Sequence, residues 1–373
     1  MMVKPGYKGG SIVNLVSSVQ RACGGKSLYP PLRALSVKEL QKYETILIIL
    51  VDGLGDEYLK NQRSFLKKHR KGRMTSLFPS TTANCISMFM TGVPAQQHGI
   101  VAWHTYVKEL GAIITPLPYV YRNGPGLTLH PEFLFQRPQK SKRTVIIINP
   151  EHYLTSVYNR WHNQGYKRYG YKDKSLAGFK NAILHTAHQK GKKYVFAYWP
   201  YFDTIEHLHS TKSKKTLVHF KKIDKAIETV TSKLKNTFVI VTADHGMIDT
   251  KMIHVKDHPK LQECLAMPFS GEPRAPFCYV RPGYKNQFVR YARTKLKKYC
   301  TLKSSEQVLK EGFFGIGKPH PKLKERIGDY MLFMKQGYIL KDTLPGEHPY
   351  RLIANHGSLS NEEMWVPLII IKT

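Results

Sequence analysis

Three aspartates each follow an apolar run of strand length: Asp52 after Ile46–Val51, Asp203 shortly after Tyr194–Trp199, and Asp244 after Phe238–Thr242. The carboxyl ends of parallel strands meet at one edge of a sheet, so we expect the three side chains to converge in one crevice. Carboxylates that share a crevice repel one another unless a cation holds them. The pattern therefore predicts a metal site.

Three histidines stand where further metal ligands would be needed. His207 is four residues after Asp203, so one helical turn places both side chains on one face. His245 adjoins Asp244, and His356 lies shortly before the last apolar run. Each histidine taken alone is more often a core or surface residue, but the agreement of all three with strand ends favours ligands. A donor set of Asp and His without Cys suits zinc or manganese in a catalytic site.

A run of hydroxyl side chains, Ser80–Thr82, separates the apolar segment Met74–Phe78 from a helical pattern that ends at Gly92. The apolar segment predicts a strand, and the spacing after it predicts a helix. A helix N-terminus has unpaired N–H groups and the positive end of the helix dipole, so it favours an anion. A threonine there could attack a phosphate, although such a residue is usually only an N-cap.

The elements that must position these side chains form an α/β pattern. Runs that are apolar on both faces recur along the chain: Ile46–Val51, Thr144–Ile148, Tyr194–Trp199, Phe238–Thr242 and Trp365–Ile371. They alternate with amphipathic stretches such as Thr216–Asn236, so we expect a mostly parallel central sheet with helices on both faces. We predict a single domain over residues 1–373, in which the less regular segment Met252–Asp342 forms a small cap or insertion.

The composition is that of a globular protein, with 42% hydrophobic residues and no apolar run long enough to span a membrane. Five cysteines in no metal-binding spacing fit a reducing compartment, and the N-terminus lacks the pattern of a signal peptide. We therefore expect a soluble, cytoplasmic protein. The net charge of +32 is spread along the chain. It is typical of a solvated basic surface, and nucleic-acid binding is the alternative.

The chain resembles the type I phosphodiesterase/nucleotide pyrophosphatase family of the alkaline phosphatase superfamily. The matching motifs are Val51-Asp52-Gly53, Phe78-Pro79-Ser80-Thr81-Thr82 with Thr91-Gly92 nine residues on, His98-Gly99-Ile100, Asp203-Thr204-Ile205-Glu206-His207, Thr242-Ala243-Asp244-His245-Gly246-Met247, and His356-Gly357. Their order and spacing are specific, and with the opening Gly9–Leu15 the resemblance covers nearly the whole chain.

The resemblance implies two divalent metal ions, zinc or alternatively manganese, and a phosphothreonine intermediate. One ion would be held by Asp203, His207 and His356, and the other by Asp52, Asp244, His245 and the nucleophile. The position three residues after Pro79 and nine before Thr91 selects Thr82 as the nucleophile, with Thr81 as the alternative. The hydroxyl would attack in line with the leaving group, and water would then attack from the side that the leaving group has vacated. Two such inversions would retain the configuration at phosphorus.

The chain departs from the family pattern at one substrate contact. Members usually carry an Asn a few residues after the His-Gly-Ile motif, where it donates to a phosphate oxygen, and this chain has Trp103. The indole N–H of Trp103 could donate instead, or its ring could stack on a base; packing in the pocket wall is the other interpretation. Asn84 could replace the missing amide, or it could only help to cap its helix.

The sequence thus predicts a metal-dependent hydrolase of phosphate esters, a diesterase or pyrophosphatase acting on a small nucleotide-like substrate. A phosphomonoesterase or phosphonate hydrolase on the same scaffold is the first alternative. A phosphosugar mutase is more distant, because those relatives generally use Ser where Thr82 stands. The alternative from another class is a basic nucleic-acid-binding protein with a vestigial site.

Overall fold

The computed structural model describes residues 2–128, 130–136, 140–347 and 352–373. In this part of the chain the strands are β1 (Thr45–Val51), β2 (Arg70–Thr75), β3 (Thr105–Val107), β4 (Ala112–Thr115), β5 (Val120–Tyr121), β6 (Thr144–Pro150), β7 (Lys167–Tyr171), β8 (Lys193–Trp199), β9 (Thr237–Thr242), β10 (Ile248–Asp249), β11 (Lys251–His254), β12 (Ser270–Glu272), β13 (Ala275–Cys278), β14 (Cys300–Ser304), β15 (Tyr330–Met334), β16 (Tyr338–Lys341), β17 (Ala354–Asn355) and β18 (Trp365–Lys372).

The α-helices of the same ranges are α1 (Ile12–Ala22), α2 (Val37–Lys42), α3 (Asp56–Leu59), α4 (Phe65–Lys68), α5 (Thr82–Thr91), α6 (Ala95–His98), α7 (Glu151–Leu154), α8 (Val157–His162), α9 (Leu176–Ala187), α10 (Tyr201–His209), α11 (Lys214–Thr231), α12 (Pro259–Glu263), α13 (Lys285–Thr294), α14 (Ser305–Lys310), α15 (Leu323–Arg326) and α16 (Asn361–Met364). None of these helices is long and apolar enough to cross a membrane.

The central sheet has seven strands in the order β2-β18-β9-β1-β8-β6-β7. Its five strands from β9 to β7 are parallel, whereas β18 runs antiparallel to both of its neighbours. Every residue of β1 and β9 is buried, as expected for parallel strands that are covered on both faces. The predicted α/β fold with a mostly parallel central sheet is confirmed.

One predicted strand is displaced along the chain. We expected a strand over Met74–Phe78, whereas β2 covers Arg70–Thr75. Its pairing ends at Thr75 because Thr75 lies opposite Trp365, the first residue of β18, so the segment beyond it has no partner strand. The helix after it was placed correctly: α5 ends before Gly92, which adopts the left-handed conformation (φ 72°) that glycine accepts without strain.

The segment predicted as a cap or insertion contains a second, four-stranded sheet in the order β12-β13-β15-β14. Two buried apolar clusters pack on it, one around Phe277 and Phe333 and the other around Phe288 and Leu332. A three-stranded antiparallel unit, β3-β4-β5, precedes it in the chain and was not predicted. The organisation as one domain stays a prediction.

Candidate active site

Three carboxylates converge at the carboxyl edge of the central sheet. Asp52 directly follows β1, and Asp244 follows the neighbouring strand β9. Asp203 belongs to α10, which follows β8 on the other side of β1. The backbone N–H of Asp203 donates to the carbonyl of Asp52 at 3.1 Å, and the N–H of Gly53 donates to Asp244 Oδ1 at 3.3 Å. The structure thus brings together the three aspartates that the sequence analysis singled out.

Gly53 makes this close approach possible. Its φ is 78°, and a Cβ at this position would lie 3.0 Å from the Cα of Asp203 and 3.0 Å from a carboxylate oxygen of Glu206. Any larger side chain would push α10 away from the end of β1. The Asp-Gly pair therefore serves the contact between Asp52 and Asp203.

The three histidines direct their Nε2 atoms toward these carboxylates. His207 Nε2 lies 3.3 Å from Asp203 Oδ1, and His356 Nε2 lies 3.9 Å from the same oxygen. His245 Nε2 lies 3.4 Å from Asp52 Oδ1. The antiparallel pair of β10 and β17 places His356 beside His245, so that their rings stack at a centroid distance of 3.7 Å.

Backbone carbonyls orient each ring. The Nδ1 atoms lie within hydrogen-bond distance of carbonyl oxygens: His207 on Ala354 at 2.7 Å, His245 on Gly246 at 3.2 Å, and His356 on Ser80 at 2.9 Å. A carbonyl only accepts, so Nδ1 carries the proton and the Nε2 lone pair points into the site, as in histidines that bind metals. Burial lowers the pKa of His245 to about 3 and that of His356 well below its ordinary value, which keeps both rings neutral.

One oxygen of each carboxylate lacks a hydrogen-bond partner. Asp52 Oδ1, Asp203 Oδ1 and Asp244 Oδ2 are buried and accept no hydrogen bond. Burial and then the charges of Asp244 and Asp203 raise the pKa of Asp52 well above its ordinary value. Burial raises the pKa of Asp203 and of Asp244 to about 6. Unpaired buried carboxylates are costly, and a divalent cation between them would remove that cost. The donor atoms therefore fit a metal centre.

Two sets of side chains could each hold a metal ion, because the donor atoms within each set all lie within 4.8 Å of one another. One set is Asp203, His207 and His356, and the other is Asp52, Asp203 and His245. The first set is the one that the resemblance implied. In the second set Asp203 stands where Asp244 was expected, and Asp244 Oδ2 lies beside the set, 3.4 Å from His245 Nε2. The two sets share Asp203, so both potential metal positions lie in one cluster.

Thr82 is the first residue of α5, and its hydroxyl faces the histidine cluster. Its Oγ1 lies 3.2 Å from His245 Nε2, to which it can donate because that nitrogen carries a lone pair. The Thr82 side chain is half-buried, whereas Thr81 is fully buried and its hydroxyl faces the carboxyl of Glu272. Of the two candidate threonines, only Thr82 adjoins the carboxylates and histidines.

A cavity of about 440 Å³ opens at this cluster and is lined there by Asp52, Thr82 and Asp203. Among the residues that the structure describes, no Lys or Arg lines the cavity, although the chain has 58 of them. Trp103 lines the same cavity, so its side chain can reach a substrate. Asn84 does not line it: its buried amide donates to the carbonyls of Phe78 and Pro79, at 3.1 and 2.9 Å. The geometry favours the structural interpretation of Asn84.

Two further residues contact the site without having been predicted. The Tyr198 hydroxyl donates to Asp52 Oδ2. Its sequence position held a signal, since a polar tip near the carboxyl end of an apolar run is close to the predicted crevice. Glu272, in the second sheet, accepts the backbone N–H of Trp103 at 2.6 Å. Nothing in its irregular surroundings marked it.

Comparisons with known proteins agree with this geometry. Residues 46–359 match the model of the type I phosphodiesterase/nucleotide pyrophosphatase family. Murine ectonucleotide pyrophosphatase/phosphodiesterase 5 has a similar fold, with a TM-score of 0.64, 15% identity and 88% of each chain covered. The human protein of the same name gives 0.63, 16% identity, and 88% and 87% coverage.

A phosphonoacetate hydrolase from Sinorhizobium meliloti 1021 also has this fold, with a TM-score of 0.63, 16% identity, and coverage of 89% of this chain and 91% of the hydrolase. A comparison with curated proteins found no match. The family model covers most of the chain, and the cluster at the end of β1, β8 and β9 lies within the matched residues. The chain therefore belongs to the type I phosphodiesterase/nucleotide pyrophosphatase family, a family of phosphoester hydrolases within the alkaline phosphatase superfamily.

Proposed function

We propose that this enzyme is a metal-dependent phosphodiesterase that acts through a covalent phosphothreonine on Thr82. The observation that carries this proposal is the position of the Thr82 hydroxyl, 3.2 Å from His245 Nε2 and at the wall of a cavity that also exposes Asp52 and Asp203. A half-buried alcohol next to metal-binding groups is the arrangement that nucleophilic attack on phosphorus requires.

The six acidic and imidazole side chains are the proposed ligands of two divalent ions, zinc first and manganese as the alternative: Asp203, His207 and His356 for one, and Asp52, Asp244 and His245 for the other. When bound, such ions would supply Lewis acidity to the reacting oxygens and neutralise the charge that develops at phosphorus. The absence of Cys from the donor set and the neutral histidines support this choice of metal.

The residues of the chain hold and orient the reacting atoms. Thr82 opens α5, so the unpaired backbone N–H groups of the first turn can receive a phosphate oxygen. The contact with His245 Nε2, at 3.2 Å, holds Thr82 Oγ1 beside a nitrogen that would bind a metal ion, and Thr82 also borders the cavity. Trp103 borders the same space and is a proposed substrate contact. Asn84 acts only indirectly, by fixing the loop before α5.

The proposed reaction has two displacements. Thr82 Oγ1 gives its proton to water and forms a bond to phosphorus, the bond from phosphorus to one alcohol oxygen breaks, and that oxygen takes up a proton from water. Phosphothreonine with the second alcohol still esterified remains. A water molecule then loses a proton and attacks the same phosphorus, the bond to Thr82 breaks, Thr82 Oγ1 is protonated again, and a phosphomonoester is released. Two inversions retain the configuration at phosphorus.

A diester fits the cavity better than a monoester does. A diester carries one negative charge near neutral pH, whereas a monoester carries up to two. Monoester binding is favoured by additional cationic contacts, and no Lys or Arg among the described residues lines the cavity. The same lack disfavours phosphonoacetate, whose carboxylate adds a further charge.

The relatives support the proposal. An inactive variant of the murine protein, in which a threonine is replaced by alanine, has been solved in complex with AMP, which supports a catalytic threonine. The Sinorhizobium enzyme has been solved with phosphonoformate and with phosphonoacetate, which keeps phosphonate hydrolysis as the second candidate. The five cysteines are all buried and unpaired, which supports the proposed cytoplasmic location.

The test is hydrolysis by the purified chain after treatment with EDTA and after return of zinc or manganese. We expect bis-p-nitrophenyl phosphate to be hydrolysed at least tenfold more efficiently than p-nitrophenyl phosphate, with activity absent in EDTA and restored by metal. Phosphonoacetate should be a poor substrate. Diester hydrolysis that survives EDTA, or a preference for the monoester or for phosphonoacetate, would contradict the proposal.

A further inference from the structure

We propose that the enzyme selects phosphodiesters in which the group that stays on phosphorus is apolar, an alkyl chain or an aryl ring. The inference rests on the proposed phosphodiesterase function and adds the class of substituent that the site accepts. It comes from the shape and lining of the catalytic cavity, which continues past Thr82 into an apolar pocket along α5.

Three residues on one face of α5 define the length of this pocket. Thr82, Ile86 and Met90 are spaced four residues apart, so they lie one above another, and all three line the same cavity. With a rise of 1.5 Å per residue, the distance from Thr82 to Met90 along the helix is about 12 Å. The cavity therefore extends well beyond the space that a phosphate alone would fill.

The cavity also has an aromatic wall. Phe196 and Tyr198 project from the same face of β8, since they are two residues apart, and both line the cavity. Ile86, Met90 and Phe196 are buried to more than nine-tenths, at 9, 7 and 1% exposure, whereas Pro118 is an exposed lining residue. We call the part of the cavity that is lined by Ile86, Met90 and Phe196 its inner end; these apolar side chains are shielded from bulk solvent.

Two of the aromatic hydroxyls that border the cavity are already engaged. The Tyr158 hydroxyl lies 3.1 Å from Ser87 Oγ, and the Tyr198 hydroxyl donates to Asp52.

The N–H groups of the amides at the cavity wall donate within the wall, and Asn149 Oδ1 is a buried acceptor without a hydrogen bond. Asn149 Nδ2 donates to Asn159 Oδ1 at 3.0 Å, and Asn159 Nδ2 donates to Ser156 Oγ at 3.1 Å. A sugar or base placed in the inner pocket would lose its hydrogen bonds to water and find few replacements, whereas an apolar group loses nothing there.

The direction of attack decides which substituent enters the pocket. In-line displacement places the leaving oxygen on the far side of phosphorus from Thr82 Oγ1, whereas the substituent that stays on phosphorus lies to the side of the attack axis. The pocket runs along α5, on the side of the nucleophile. It therefore takes the group that remains esterified in the phosphothreonine and leaves in the monoester product.

The first experiment measures kcat/KM of the zinc-loaded enzyme for methyl, butyl and hexyl p-nitrophenyl phosphate, and for a nucleoside p-nitrophenyl phosphate. The leaving group is the same throughout, so differences report on the retained group. Each methylene that enters the pocket should raise kcat/KM by about fourfold, and the hexyl ester should exceed the nucleoside ester. A flat chain-length series, or a better nucleoside ester, would overturn the inference while the phosphodiesterase proposal stands.

A matched pair of variants locates the pocket. Met90→Phe adds bulk at the inner end, and we expect it to lower the hexyl-to-methyl ratio of kcat/KM at least tenfold. Met252→Phe makes the same change in β11, outside the cavity, and should leave the ratio as in the wild type. An unchanged ratio in folded Met90→Phe protein, verified by its thermal transition, would contradict the assignment of the pocket.

A binding measurement separates the inference from the chemistry. Calorimetric titration of the zinc-loaded protein with methyl, butyl and hexyl phosphate, the products of the series, requires no turnover. Tighter binding with each methylene would support the apolar pocket even if no diester were hydrolysed, in which case only the proposed function would fail. Equal affinities for the three products would overturn the inference.

Discussion

Thr82 and Thr81 are chemically identical neighbours whose surroundings differ. The Thr82 hydroxyl contacts His245 at 3.2 Å and borders the cavity, whereas Thr81 is buried on the side of Glu272. We expect Thr82→Ala to lower kcat for bis-p-nitrophenyl phosphate by about a thousandfold or more, because the attacking oxygen is removed. Thr81→Ala should stay within about tenfold of the wild type.

The metal content of both alanine variants is the control. Neither substitution removes one of the six proposed protein ligands, so metal analysis should give the wild-type content in each. If Thr81→Ala abolished turnover and Thr82→Ala did not, the nucleophile would be the alternative threonine. If both variants retained activity, the reaction would proceed without the phosphothreonine.

Glu272 is a buried carboxyl that accepts the backbone N–H of Trp103. Burial raises the pKa of Glu272 to about 7. The folded state therefore binds a proton that the unfolded state has already released at its ordinary pKa of about 4.3. This proton therefore stabilises the folded state fully below a pH of about 4.3, and the stabilisation is lost as the pH rises through 7.

The Gln substitution at this position tests the titration. Glu272→Gln keeps the acceptor oxygen for Trp103 but cannot ionise. We expect the free energy of unfolding of the wild type, relative to Glu272→Gln, to fall by up to about 3 kcal/mol between pH 5 and pH 8. Urea unfolding of both proteins across this range measures it. Parallel pH profiles would show that Glu272 does not titrate there.

At the scale of elements, Arg274 in the second sheet and Glu363 in α16 form a fully buried ion pair. Their two hydrogen bonds measure 2.9 and 2.5 Å, and Glu363 also accepts the N–H of Ser358, two residues after His356. Burial raises the pKa of Glu363, but the charge of Arg274 and the hydrogen bonds to the carboxylate together lower it below its ordinary value, so the carboxylate stays ionised. The pair joins the insertion to the strand end that carries a proposed metal ligand.

Breaking this pair should be costly. Arg274→Ala leaves a buried carboxylate without its partner, and we expect a loss of about 3–5 kcal/mol in the free energy of unfolding. The double replacement Arg274→Met with Glu363→Leu should lose less than the single one, since no charge stays buried alone. Arg293→Ala, at an exposed arginine of α13, is the control and should change stability by less than about 0.5 kcal/mol. Equal losses for Arg274→Ala and Arg293→Ala would contradict the role of the pair.

The predictability of the elements follows from their surroundings. Strands β1, β8 and β9 were located from the sequence because a parallel strand covered on both faces is apolar at nearly every position. The β3-β4-β5 unit was missed because its strands are short and its pairing depends on turns rather than on composition. The end of β2 was misplaced because its partner strand β18 sets it. The pair that ends the ladder, Thr75 with Trp365, is separated by 290 residues in sequence.

The same reasoning explains the site. The six proposed ligands were found because strand ends and helix spacing place Asp52, Asp203 and Asp244 at one edge of the sheet. Tyr198 and Glu272 were not found, since their contacts depend on side-chain directions and on the packing of the second sheet. Asn84 was assigned a possible substrate contact from its distance along the chain, but the loop before α5 turns its amide inward.

At the scale of the whole molecule, the charge and the catalytic cavity are segregated. The chain carries a net charge of +32, yet no Lys or Arg within the described ranges lines the cavity. Such a distribution attracts anions to the protein, but it provides no Lys or Arg in the cavity to bind a second negative charge on the phosphate. It agrees with a singly charged diester as substrate, and the alternative of nucleic-acid binding predicts salt-dependent binding that survives chelation.

The proposed metal centre joins elements that are distant in sequence, so metal binding there should stabilise the entire fold. Metal that binds only the folded state at a hundred times its dissociation constant adds about 3 kcal/mol for one site. We therefore expect zinc to raise the midpoint of thermal unfolding of the EDTA-treated protein by several degrees. His356→Ala removes a proposed ligand and should lose at least half of this increment. His258→Ala removes a histidine that is hydrogen-bonded to Tyr291, and it should retain the increment. The increment is compared within each variant, so a general loss of stability in His356→Ala cancels. The same increment in all three proteins would mean that zinc binds elsewhere, and the assignment of the carboxylate and histidine cluster as the metal centre would then be wrong.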